Sequence, residues 1–310
     1  MTYTNPLAID IRRGRERVLD TYNTGSASVS VVDANVWNPL FYEYNPAQFQ
    51  ELNPGIQIKI TAEYPSTMLT CVPTCSVSTP NIPYTYIPFT DESLDVRLAF
   101  VVTHGLEGQY ATLASVASTA GQISWIAWIN YGKANLTVSL DGTTTYNFES
   151  ATLPQFEVGT AVALRIFFDG ATARVSFLYW ETSPVLAFDI VNSEVSWTLI
   201  STVENATFTT AYAPVRLLHQ STDDLKIAKS INYDSGRFNL LAFCLKTWDV
   251  YGDKTTRSSF DMTDGLKTLG ASTFTDVESH TWTNSVATIS SVNYTYPLFA
   301  GYISSFNWNW

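Results

Sequence analysis

Apolar and polar positions alternate at period two through much of this chain. In SASVSVVD, Ala27, Val29 and Val31 point one way and Ser26, Ser28 and Ser30 the other, the mark of a half-buried strand. IQIKITA repeats the pattern with Ile56, Ile58, Ile60 and Ala62 inward, introduced by the turn Asn53-Pro54-Gly55. Further strands are expected at 94–102, 122–130, 134–140, 161–168, 173–180, 237–245 and 287–290. Asp141-Gly142 and Asp169-Gly170 fall between neighbouring strands and predict hairpins, because glycine tolerates the positive φ of a tight turn. Many short strands at this spacing predict an all-β chain organised as a sandwich.

The closing stretch LFAGYISSFNWNW places Tyr302, Ser304, Phe306, Trp308 and Trp310 on a single strand face with no companion nearby. Pairing it with residues 56–63 gives a discontinuous small β-barrel, 1–72 with 291–310. Residues 73–90, with Pro73, Pro80, Pro83 and Pro88 among Ser, Thr and Cys, read as a linker, and 91–290 as an inserted β-sandwich. Such an insertion is tolerable because closure entropy grows only logarithmically with loop length.

Composition supports the β reading: 14% of the 310 residues are aromatic and only 15% charged. The net charge of -11 speaks against nucleic-acid binding, which needs clustered cations to displace counterions. The one basic cluster holds Arg13, Arg15 and Arg17 on one side of a strand, and reads as a solvated or subunit-facing edge. No run of about eighteen apolar residues suggests membrane insertion, and the N-terminus lacks a signal-peptide core, so synthesis in a cytoplasm is expected. That compartment favours free thiols at Cys71, Cys75 and Cys244, with a 71–75 disulfide as the other option. His104, His219 and His280 are too scattered to suggest a metal site.

The order GRERVLD, TGSASVSVVD, WNPLFYEYNP, LNPGIQIKI over residues 14–60 resembles the N-terminal barrel of minor tail proteins from long-tailed bacteriophages, especially those of actinobacterial hosts. The closing LFAGYISSFNW resembles the next strand of that barrel. In the insert, GKANLTVSLDGTTTYNF, AVALRIFFDGATARVSFLYW and VSWTLISTVENATFTTAYAPVRL resemble the concanavalin A-like, laminin-G-type jelly roll that such proteins often carry. The resemblance implies a tail-type barrel docked among other phage tail proteins, a homo-oligomer around the tail axis, and location in the virion at the tail tip. The jelly roll would then face outward toward a host cell-envelope glycan. Trp308 and Trp310 would pack against another tail subunit, the alternative for Trp308 being the barrel interior.

Jelly rolls of this type include glycosidases, yet the paired carboxylates of glycoside hydrolysis are missing: no E-x-D-x-E occurs, and Glu149, Glu157 and Glu181 lie on separate elements. G-x-S-x-G, a P-loop and G-x-G-x-x-G are missing too, so no enzymatic activity and no cofactor are expected. Calcium accompanies some laminin-G-type domains, and Asp223 with Asp224 could supply ligands or form a solvated turn. Binding is carried by QISWIAWINYG. Extended alternation puts Trp125 and Tyr131 on one face and Trp128 on the other, each ring free either to fill the core or to stack on a sugar.

Overall fold

The structure, a computed structural model of the chain, describes residues 6–12, 26–31, 57–72, 75–81, 85–103, 110–117, 122–182, 184–194, 197–229, 238–264 and 267–302. It divides into two units, 1–64 with 293–310 and 65–292. In the first, the alternating SASVSV segment forms β2 (Ser26–Val31), antiparallel to β1 (Pro6–Arg12), with Ile9 opposite Val29 and Ile11 opposite Ala27. Most of the expected barrel lies outside the described residues.

Two antiparallel sheets make up the rest, and the chain is all-β with a jelly-roll sandwich as its main body. In spatial order the first holds β12 (Thr198–Glu204), β11 (Arg174–Thr182), β10 (Ala161–Asp169), β5 (Ser93–Val101), β14 (Phe238–Trp248), β3 (Gln57–Cys71) and β18 (Thr288–Tyr302), with β15 (Lys254–Asp261) also on β14. The second holds β16 (Thr273–Thr275), β17 (Thr281–Ser285), β4 (Ser76–Thr79), β13 (Leu225–Ile227), β6 (Tyr110–Val116), β7 (Trp125–Asn130), β8 (Lys133–Ser139) and β9 (Thr145–Thr152). One edge of β14 is divided between two partners: Phe238–Leu240 face Cys71–Leu69 of β3, and Ala242–Trp248 face Asp261–Lys254 of β15. β18 lies beside β3, and the Thr70 and Ser290 hydroxyls join them at 2.8 Å.

The proline-rich stretch is not a linker. β3 continues through Pro65, and β4 is inserted between β17 and β13. Cys75, Val77, Tyr86 and Ile87 are fully buried in the core. The reason is placement: Pro73 and Pro80 flank β4 and none interrupts it, so every ladder amide of Ser76–Thr79 remains available. None of the three cysteines is in a disulfide, and all three are buried. A hydrogen bond from Cys75 and then burial push the Cys71 thiol up, while burial pushes Cys244 to about 12.

Between the sheets, Trp125, Trp282, Phe148, Phe168, Phe208 and Phe243 are fully buried, each contributing on the order of 2–3 kcal/mol. The sheets are tied at one side by helix α2 (Ala206–Tyr212; α1 is Ala187–Asn192), which is capped by the Asn205 side chain accepting from Phe208 N at 3.1 Å. Its Phe208 ring meets Phe148 of the second sheet at 5.3 Å and Phe168 of the first at 5.9 Å. The other helix, α1, packs on the outer face of the first sheet across β14, β10 and β5. Consequently β5 is buried on both faces: Leu94, Val96, Leu98 and Phe100 enter the core, while Asp95 and Arg97 lie beneath the helix side.

Both predicted hairpins form, β8–β9 across Asp141-Gly142 and β10–β11 across Asp169-Gly170. At Gly170 the constraint is space rather than φ, since a Cβ would sit 2.2 Å from the Glu92 carbonyl oxygen. Gly170→Ala is expected to destabilise the chain by about 2 kcal/mol, read as a lower denaturant midpoint at unchanged m-value.

Candidate functional site

QISWIAWINYG becomes β7 and the turn after it. Trp125 is fully buried, its indole Nε1–H donating to the Tyr86 carbonyl at 3.0 Å, so its ring belongs to the core and cannot stack on a sugar. Trp128 points to the outer face, where it forms a small second cluster with Ile123, Ile126 and Ala117, beside Tyr110. Tyr131 departs from the expected alternation. Asn130 pairs with Lys133, leaving a two-residue turn with φ of 45° at Tyr131 and 76° at Gly132. A turn of this kind re-aims the side chain, and Tyr131 therefore sides with Trp128, not with Trp125.

The result is an aromatic corner. Tyr110 lies 5.0 Å from Trp128 and 6.4 Å from Tyr131, measured between ring centroids. Trp128 is 6% exposed and acts as the floor, while Tyr131 is 68% exposed and offers its ring to solvent. A polar ladder adjoins it on β8 and β9. Trp128 Nε1–H donates to Thr137 Oγ1 at 3.0 Å, Thr137 to Asn147 Oδ1 at 3.1 Å, and Asn147 Nδ2 to Asn135 Oδ1 at 3.0 Å. Lys133 and Glu149 pair at its end. Such a surface combines a ring for stacking with amide, hydroxyl and charged groups for sugar hydroxyls.

A second constellation lies on the outer face of the first sheet. Asp95, with no accessible side-chain surface, accepts from Arg97 Nε at 3.0 Å, Arg165 Nε at 3.0 Å, Arg165 Nη2 at 2.8 Å and Trp248 Nε1 at 3.2 Å. Past the end of α1, Glu194 receives Arg97 at 2.7 Å, Lys246 at 3.0 Å, Arg165 at 3.5 Å and Lys254 at 3.6 Å. Partial burial alone would push the Glu194 carboxyl up, but Arg97 and then Lys246 override it and hold it at about 2. Arg165 lies over the rings of Phe167 and Trp248 at 5.5 and 5.6 Å, and Lys254 over Trp248 at 4.5 Å. The sequence carried a signal for this cluster in lone charges within apolar strands, LDVRLAF, AVALRIFF and FCLKTW.

Asp223 pairs with Lys226 at 3.2 Å and caps the Asp224 amide at 3.1 Å. Among the described residues no three His, Cys, Asp or Glu side chains cluster as a metal site. Arg13, Arg15, Arg17, Trp308 and Trp310 lie outside the described residues.

No protein-family model matches the sequence, and no curated protein matches it. Among solved structures, a Bacteroides ovatus ATCC 8483 protein provisionally assigned as carbohydrate-binding is similar at 9% identity and TM-score 0.46, over 76% of this chain and 61% of that one. The CBM40 domain of the Ruminococcus gnavus IT-sialidase, bound to α2,3-sialyllactose, is similar at 12% identity and TM-score 0.35, over 61% and 91%. The enzymatically active domain of bacteriophage CBA120 tailspike protein 2 is similar at 12% identity and TM-score 0.33, over 54% and 24%. These likenesses assign neither a ligand nor a partner to this chain.

The depressed Glu194 carboxyl gives a pH dependence with a defined sign. Its contribution to stability is fully present above about pH 4.5, where the group is ionised even in the unfolded chain, and is lost as pH falls toward 2. The gap in thermal midpoint between the protein and Glu194→Gln is expected to narrow over that window. Asp95→Asn, which strips two buried guanidiniums of their shared counter-charge, is expected to cost about 3–5 kcal/mol at neutral pH.

Proposed function

We propose that this chain is a structural component of a bacteriophage tail tip that displays its jelly roll to recognise host cell-surface glycans, without catalysing their cleavage. The tail role rests on the ordered resemblance over residues 14–60 and the closing strand. The glycan role is carried by one observation: Tyr131, 68% exposed, is held by a tight turn beside Tyr110 and next to a ladder of polar side chains. A shallow platform of this type binds weakly at each copy, and repetition around a tail axis would multiply that affinity. Against hydrolysis stands the spacing of the carboxylates, with no E-x-D-x-E in the sequence and Glu149, Glu157 and Glu181 on separate elements.

Tyr131→Asn removes the ring and keeps the turn, because Asn-Gly is a favoured pair where both φ values are positive. The variant is expected to bind neutral polysaccharides from host cell walls about tenfold more weakly, roughly 1.4 kcal/mol, at unchanged or slightly higher thermal stability. Equal binding by both forms, or none by either, would favour a purely architectural jelly roll. Antibody labelling of intact particles tests the tail-tip assignment separately.

A further inference from the structure

Four of the seventeen basic residues of this acidic chain meet at one place on the outer face of the first sheet, Arg97, Arg165, Lys246 and Lys254. Two carboxylates, Asp95 and Glu194, serve them all. Asp95 is fully enclosed and saturated by two guanidiniums and the Trp248 indole. Glu194 is stretched further, each of its oxygens being shared by two cations: Oε2 by Arg97 at 2.7 Å and Arg165 at 3.5 Å, Oε1 by Lys246 at 3.0 Å and Lys254 at 3.6 Å. The longer member of each pair is the more exposed cation, Lys254 with 37% and Arg165 with 10% of its side chain accessible. The cluster thus keeps an excess of two positive charges; Arg165 is also held by both Asp95 oxygens, so the weakly paired cation on the open side is Lys254.

We propose that this face binds a carboxylate-bearing saccharide, its carboxylate drawing on Lys254 beside, and in competition with, Glu194. A carboxylate is favoured over other anions because the cluster already holds one, Glu194, among amine and guanidinium donors, with Lys254 at the longest of its four contacts. A sugar ring is favoured as its carrier because Phe167 and Trp248, with centroids 5.2 Å apart and both partly exposed, provide apolar surface alongside. This site is on the other sheet from the Tyr131 platform and stands independently of it.

The test uses the full chain and isothermal titration with a galacturonic-acid oligomer and its carboxyl-reduced, neutral counterpart. Binding of the acidic oligomer alone is expected, weakening about tenfold in Lys254→Gln and with added salt, and strengthening severalfold in Glu194→Gln. Arg174→Gln, which removes a cation from the same sheet beside Glu204, is expected to leave binding unchanged. No binding by the native chain and Glu194→Gln, equal binding of the neutral oligomer, or equal displacement by inorganic sulfate would overturn the proposal. Because neutral polysaccharides are read through Tyr131→Asn and acidic ones through Lys254→Gln, either site can fail without the other.

Discussion

The buried carboxylate of Asp95 organises the outer half of this sandwich. An ionised group with no access to water is tolerable only when its lone pairs are engaged, and here two guanidiniums and an indole N–H engage them from β5, β10 and β14. Those contacts align the three central strands from outside while Leu94, Phe168 and Phe243 align them from inside. The same charges anchor what lies above. Arg97 Nη1 donates to the carbonyls of Val191 at 3.1 Å and Ser193 at 2.7 Å, and Lys246 to that of Asn192 at 3.1 Å, satisfying backbone groups at the end of α1. A jelly-roll sheet that could have been half-solvated is thereby covered by a short helix.

Much of the sandwich was legible in the alternation of its strands. β5, β8, β10, β11 and β14 fall within a few residues of the expected spans, and the hairpin glycines sit where they were read. The last strand was read against residues 56–63, and β18 does neighbour β3, though 303–310 lie outside the described residues. What escaped has physical causes. β4 is four residues of Ser, Val, Ser and Thr, too short for periodicity to register, and proline on both sides disguised it. β9 and β12 are mostly exposed edge strands whose apolar signal is weak.

The candidate surfaces were legible only in part, for a related reason. Alternation predicts a side-chain direction while the chain stays extended, and it fails at the first residue with positive φ, which is Tyr131. The core role of Trp125 was one of the two readings its position allowed, and a Trp in a sandwich strand has no sequence mark that separates them. The cation cluster is assembled from β5, β10, β14, β15 and the second residue after α1, separated by up to about 160 positions. Only topology brings it together. The two outer faces thus carry different chemistry, a ring with polar neighbours on one and an excess of cations on the other.

β3 also sets a schedule. It leaves the ribosome well before its partners β14 and β18, which begin at Phe238 and Thr288. At typical elongation rates the intervening chain takes on the order of ten seconds to make, during which the backbone groups of a fifteen-residue strand wait unpaired. Newly made copies crowded on one message would be most prone to join wrongly through this ribbon, so the topology that completes the sandwich also makes its assembly depend on whatever shields nascent chains.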